Sequence, residues 1–366
     1  MTGRPSPGEA LVNDLDELKQ HVVVHARTQG IPPSAYLDVL GRIEDDGEGG
    51  PGSWVAEWSR AGDLQLADGR PFEAFRFYNI ARFPYPAGET RRSAARNAVA
   101  AFDTWRKDIP GLTRVDVDLP DGLVRCWAGG LSTEQPKPLL LLMGGIVSTK
   151  EQYAPALAQA PQLDMAGVVT ELPGVGENTL PYRSDSWRMI PAVLDALADR
   201  ADVSRTYAVA LSFSGHLALR AAVHDKRIRG VVTTGAPVHD FFADTRWQAR
   251  VPTLTLDTLA HLTGTRRAGL ADELRDWALT DDELGALDIP VAYAASSRDE
   301  IIPPTDPARL HRTLDRLELI EKDDVHGSPE HVEEIRLWTL LSALRMCGDR
   351  PAQVAFLESA LQEAAH

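Results

Sequence analysis

Cysteine is scarce in this sequence: Cys126 and Cys347 are the only two in 366 residues. Neither has a His or Cys neighbour at metal-ligand spacing, so the pair argues against both a disulfide framework and a zinc site, and both are expected to be buried thiols. Positive charge is also in short supply, with 38 Lys and Arg against 53 Asp and Glu and a formal net charge of -15. Without a basic patch to displace counterions from phosphates, a nucleic-acid partner is excluded, and an anionic membrane surface is disfavoured. No run of about 18 apolar residues is present to span a bilayer. The opening Met1-Thr2-Gly3-Arg4-Pro5-Ser6-Pro7-Gly8 is polar and rich in helix breakers rather than signal-like, so a cytoplasmic location is expected. The turn Pro173-Gly174-Val175-Gly176 lacks the further glycine and lysine of a phosphate loop, and there is no dinucleotide fingerprint. No cofactor and no metal are therefore expected. A homodimer is compatible with the sequence, which offers no specific support for one.

What is present is a strand that runs straight into a tight turn. Tyr207-Ala208-Val209-Ala210-Leu211 is apolar, and Ser212-Phe213-Ser214-Gly215-His216 follows as Ser-x-small-Gly at the start of a helix. That is the pattern of a nucleophile elbow, where a serine is exposed above a sheet and small neighbours are needed because the backbone turns sharply. Ala210 and Ser214 stand at the two glycine positions of the usual Gly-x-Ser-x-Gly, and both are small. The plain alternative is a helix-starting Ser-Gly pair after an ordinary buried strand.

An acid and a base follow in order. Ile289-Pro290-Val291-Ala292-Tyr293-Ala294-Ala295 reads as a buried strand and leads to Asp299, with Glu300 beside it as a rival. A later strand at 317–321 leads into Asp323-Asp324-Val325-His326-Gly327, and His326 lies in the loop before the last long helix. His331 is its rival, but it falls within the helix that Pro329 begins. Ser212, Asp299 and His326 follow one another as in the α/β-hydrolase topology, not as in chymotrypsin-like or subtilisin-like proteases. A serine hydroxyl is a weak nucleophile at neutral pH, so His326 is expected to take and return its proton while Asp299 fixes the imidazole tautomer. Charge developing on a carbonyl oxygen needs donors. The strand at 138–143 ends at Gly144-Gly145-Ile146, which predicts an oxyanion hole from the amides of Ile146 and Phe213.

These residues carry a family resemblance. Gly144-Gly145-Ile146-Val147-Ser148-Thr149-Lys150-Glu151 resembles the GG-x-x-S-T-K-E signature of the fermentation-respiration switch protein-like branch of the α/β-hydrolases. That branch includes the dihydroxypseudooxynicotine hydrolases and fungal polyketide-shortening hydrolases. Glu171-Leu172-Pro173-Gly174-Val175-Gly176-Glu177 is similar to the family's D-x-P-G-x-G-E turn, and residues 76–86 resemble the helical segment before its core. The resemblance implies a small-molecule acyl substrate and cleavage of an ester, a thioester or a ketone-adjacent C–C bond. It also leaves two alternatives: a lyase that removes acetate from an O-acetylated, tetronate-type intermediate, and a silent ligand-binding protein that keeps the fold.

Alternating strands and helices from residue 111 onward predict an α/β-hydrolase fold, a mostly parallel twisted sheet with helices on both faces. Strands are expected at about 138–143, 167–171, 206–211, 229–234, 289–295 and 317–321, after a hairpin of 114–119 and 123–128 turning at Asp121-Gly122. Composition predicts a disordered tail at 1–12, a helical domain at 13–110, and a hydrolase domain at 111–366 whose helical cap insertion occupies about 241–287, with helices at 252–262 and 268–279. Gly145, His216, His239 and Tyr78 are candidate substrate contacts, each with a plain structural alternative.

Overall fold

The computed structural model describes residues 13–348 and 350–364. The expected tail at 1–12 lies outside the described residues. The chain divides into two compact units, Met1–Pro110 and Gly111–His366.

The first unit is helical: α1 Leu15–Thr28, α2 Pro33–Arg42, α3 Trp54–Ala67, α4 Pro71–Ala81 and α5 Gly88–Arg106. The ends are set by local chemistry. Asp14 accepts the amide of Glu17 and Ser53 that of Ala56 as N-caps, while Pro begins α2 and α4, where a missing N–H costs nothing. The Gly- and Asp-rich loop at 45–52 is anchored at Asp46, whose buried carboxylate pairs with Arg91 and accepts from the amide of Asn13 at 2.9 Å. Trp54, Trp58, Phe75 and Phe102 fill the interior of this unit.

The second unit holds one eight-stranded sheet in the order β1-β2-β4-β3-β5-β6-β7-β8. Its strands are β1 Thr113–Leu119, β2 Gly122–Gly129, β3 Pro138–Met143, β4 Ala166–Thr170, β5 Asp202–Ala210, β6 Ile228–Thr234, β7 Val291–Ser296 and β8 Leu317–Lys322. β2 runs antiparallel to β1 and β4, and every other neighbouring pair is parallel. The helices are α6 Met189–Leu197, α7 Phe213–His224, α8 Asp240–Ala243, α9 Thr245–Gln248, α10 Thr253–Thr263, α11 Arg267–Leu274, α12 Asp281–Gly285, α13 Thr305–Thr313, α14 Val332–Cys347 and α15 Pro351–Ala364.

Side chains alternate across the strands and sort into two layers. Leu139, Leu141, Ala208 and Ala210 pack on the face with α6 and α7, while Leu140, Tyr207 and Val209 pack with Trp338 and Leu341 of α14 and Leu357 of α15. Three details differ from the sequence expectation. β5 begins four residues earlier than 206, where Thr206 is buried and breaks the register with β3 and β6. The helix expected at 268–279 ends at Leu274 and continues only as a 3-10 turn, Arg275–Trp277. Cys126 is buried, its thiol pushed up to about 12 by burial, but Cys347 at the end of α14 is only half-buried and lies 2.9 Å from Nη1 of Arg350.

β3 lies between β4 and β5, so the connections that leave β3 and β5 diverge to opposite sides of the sheet. Such a divergence opens a crevice beyond the carboxyl ends of the strands, where ligands bind in open α/β sheets. Gly144-Gly145-Ile146 and Ser212 are the residues that leave those two strand ends.

Candidate active site

Ser212 follows β5 with φ 55° and ψ -129°, a conformation sparsely populated by any residue with a side chain. The surroundings hold it there: its amide donates to the Thr234 carbonyl at 2.8 Å, and its carbonyl accepts from the Gly215 amide at 2.8 Å. Ser214 uses its hydroxyl to donate to the carbonyls of Leu211 at 2.8 Å and Met143 at 3.2 Å. The tightest packing falls on Gly215, where a Cβ would lie 2.1 Å from Oγ1 of Thr233. The elbow thus tolerates Ala210 and Ser214 and places its glycine one residue later.

The Ser212 hydroxyl donates to Nε2 of His326 at 3.0 Å. On the other side of the ring, Nδ1–H donates to Asp299, with Nδ1 2.8 Å from Oδ2 and 3.0 Å from Oδ1. Asp299 is itself held by the amides of Ile301 and Ile302, both donating to Oδ1, at 2.9 and 2.8 Å. Burial works against a charged imidazole, yet Asp299, reinforced by Glu300, holds the His326 pKa above its ordinary value. The rivals are sorted by geometry. Glu300 accepts the main-chain amide of His326 at 3.0 Å and not its ring. His331 ends a 3-10 turn, Pro329–His331, ahead of α14 rather than inside it, and its Nδ1 faces Glu334 at 3.4 Å.

The loop after β3 reaches the serine. A Cβ on Gly145 would lie 3.3 Å from Cβ of Ser212, so only a glycine lets the backbone approach this closely without the neighbours giving way. The Ser148 amide closes a turn onto the Gly145 carbonyl at 3.0 Å, with Ile146 and Val147 at its centre. Lys150-Glu151 then anchors the loop. The Lys150 ammonium is fully buried at 2.8 Å from Glu151, 3.1 Å from Glu171 and 2.9 Å from Glu177. Burial alone would discharge it, but the three carboxylates hold its pKa above the ordinary lysine value. Glu171 also accepts the amides of Lys150 at 2.9 Å and Glu177 at 2.7 Å. The two sequence signatures are therefore two halves of one buried ion cluster, which ties the loop after β3 to the loop after β4.

Three candidate contacts are occupied elsewhere. His216 is fully buried in α7 and donates from Nε2 to the Trp277 carbonyl at 2.8 Å. Burial and nearby Arg220 push its pKa down to about 3, so it is a neutral tether for the Trp277 segment and not a surface a substrate can reach. Arg220, one turn on, donates to the carbonyls of Trp277 and Ala278 at 3.0 and 2.8 Å. His239 donates from Nδ1 to the Leu279 carbonyl at 2.8 Å, a further tether on the same segment. Tyr78 is buried in the helical unit, and its hydroxyl donates to Asp63 at 2.5 Å.

Sequence reasoning missed several residues. Asp306 collects the amides of Val238, His239, Asp240 and Phe241 at 2.7 to 3.4 Å and fixes the segment that leads from β6 into α8. Gly235, with φ 57°, lies under the His326 ring: a Cβ there would stand 2.8 Å from Cε1 of His326 and 3.4 Å from Oδ2 of Asp299. A glycine at a strand end carries no mark in the sequence of what its missing Cβ leaves room for. Among the described residues, no group of three or more His, Cys, Asp or Glu side chains is placed to hold a metal, and no helix is long and apolar enough to cross a membrane.

Comparison with known proteins agrees with this architecture. A family model described as esterase FrsA-like matches residues 51–298. Esterase FrsA of Vibrio cholerae serotype O1 is 25% identical over 289 residues, covering 69% of this chain and 68% of that protein. Esterase FrsA of Citrobacter koseri is 28% identical over 274 residues, 66% of each. Among solved structures, AbyA5 wild type is 52% identical, with a TM-score of 0.93 over 96% of this chain and 99% of that one. A 2,6-dihydroxy-pseudo-oxynicotine hydrolase shares the fold, at 17% identity and a TM-score of 0.66 over 89% of this chain and 93% of that one. The chain belongs to the esterase FrsA-like family of α/β-hydrolases.

Proposed function

We propose that this protein is a serine hydrolase that cleaves an ester, a thioester or a ketone-adjacent C–C bond of a small organic substrate of polyketide type. The observation that carries the reading is the unbroken relay from Ser212 Oγ through the His326 ring to Asp299, at 3.0 and 2.8 Å, on a strained elbow. Ser212 attacks the carbonyl carbon as His326 takes its proton, and Asp299 stabilises the imidazolium. The amides of Ile146 and Phe213 stabilise the oxyanion, because both leave strand ends that meet at Gly145 and Ser212. His326 then protonates the leaving group, and water, deprotonated by the same ring, releases the acyl group.

A second reading uses the same base. The carboxylate-backed His326, with a pKa above the ordinary value, is suited to removing a proton from an acidic C–H. Elimination of acetate from an O-acetylated tetronate would move that proton to His326, form the alkene and break the C–O bond, with Ser212 as a hydrogen-bond donor. The two chemistries separate in one experiment, in which short acyl esters and an O-acetylated tetronate are each given to wild type and to Ser212→Ala. Hydrolysis to an alcohol that vanishes with Ser212 is the expected result. Acetate release with an alkene product, retained in Ser212→Ala and lost in His326→Asn, would replace the hydrolase with the lyase.

A further inference from the structure

His326 is held by two consecutive carboxylates that do different things. Asp299 takes the ring at Nδ1, and Glu300 takes the main-chain amide at 3.0 Å. The other charged and titratable groups nearby are already engaged. On its own segment, Asp323 pairs with Arg298, Asp324 accepts the amides of Val325 and Glu330 at 2.8 Å each, and His331 faces Glu334. The elbow presents Ser212 and Phe213, and the end of β6 presents Gly235, none of them charged. Glu300 is therefore the second negative charge on the base, and it is also the acceptor that fixes the backbone carrying it.

We propose that Glu300 is a positioning residue for His326, acting both as the anchor of its main chain and as a second source of negative potential that sets the pH at which the base becomes active. The inference rests on His326 being the general base, and it holds for either chemistry proposed for the site.

Glu300→Gln keeps an oxygen that can accept the His326 amide and removes the charge, whereas Glu300→Ala removes both. The base works when neutral, so activity rises with pH through the His326 pKa. Negative potential favours the imidazolium, so its loss lowers that pKa and moves the acid limb of kcat/KM to lower pH. In Glu300→Gln the limb moves down by about half a unit or more, so that below the limb the variant retains about threefold more of its own plateau activity than wild type does. Glu300→Ala shows the same shift together with a fall in plateau kcat of about tenfold, which Gln largely restores. A limb that stays in place in both variants, or a plateau that falls equally in both, overturns the proposal. His326→Asn separates this failure from failure of the site itself: if that variant keeps its activity, the general base is wrong, and if it is inactive while the limb is unmoved, only the role of Glu300 is wrong.

Discussion

At the scale of single residues, the site depends on atoms that are absent as much as on those present. Gly235 lacks a Cβ where one would press on the His326 ring at 2.8 Å, and its φ of 57° disfavours any replacement. Gly235→Ala should displace the imidazole from Ser212 and lower kcat by about 100-fold, since small misplacements of a proton acceptor are costly. Far-UV circular dichroism should show the fold retained. Wild-type kcat in this variant would mean that the ring position is not set from beneath. The imidazolium also has a thermodynamic side. Because the His326 pKa is raised in the folded state, its pairing with Asp299 stabilises the fold fully below the unfolded value of about 6.5, and that contribution is lost as pH rises through the folded value. Catalysis and this stability term therefore run in opposite directions across the same pH interval.

At the scale of elements, the loop after β3 shows why a signature can be spread over distant segments. Gly144-Gly145 allows close approach, Ser148 closes the turn, Thr149 caps the 3-10 turn Lys150–Gln152, and Lys150-Glu151 enters the ion cluster with Glu171 and Glu177. A buried cluster of this kind adds little over an apolar core, but breaking it leaves uncompensated charge. Lys150→Met should destabilise the protein by about 3–5 kcal/mol in urea unfolding, and Lys150→Met combined with Glu171→Gln should recover part of that loss. A double variant that is no better than the single would show that the carboxylates are not the source of the penalty. The helical segment between β6 and β7 is fixed by side-chain donors to main-chain carbonyls. His216, Arg220 and His239 hold the carbonyls of residues 277–279, and the indole N–H of Trp247 in α9 donates to the Ile301 carbonyl at 2.8 Å, next to the acid turn.

At the scale of the whole molecule, the parts legible in the sequence are those encoded by local order. Apolar runs ending in turns revealed the parallel strands, and the succession Ser212, Asp299, His326 at three strand ends revealed which side chains the sheet would gather. Partnerships across long separations were not legible. Asp306 binds amides 65 to 68 residues away, and the two halves of the Lys150 cluster lie on different loops. His216 and His239 sit close to the site along the chain, but their rings turn to the carbonyls of Trp277 and Leu279, and nothing in residue order shows which way a side chain faces. In the sequence Glu300 stands as a rival to Asp299, although the two hold different atoms of the same histidine.

The central claim is that Ser212 is a nucleophile activated by His326. Intact-protein mass spectrometry after exposure to a fluorophosphonate tests it most directly, with Ser212→Ala and His326→Asn alongside wild type. A single adduct on wild type, absent in Ser212→Ala and slowed by about a thousandfold or more in His326→Asn, is the predicted result. A folded wild type that takes up no adduct, or a Ser212→Ala variant that labels as fast as wild type, would contradict it.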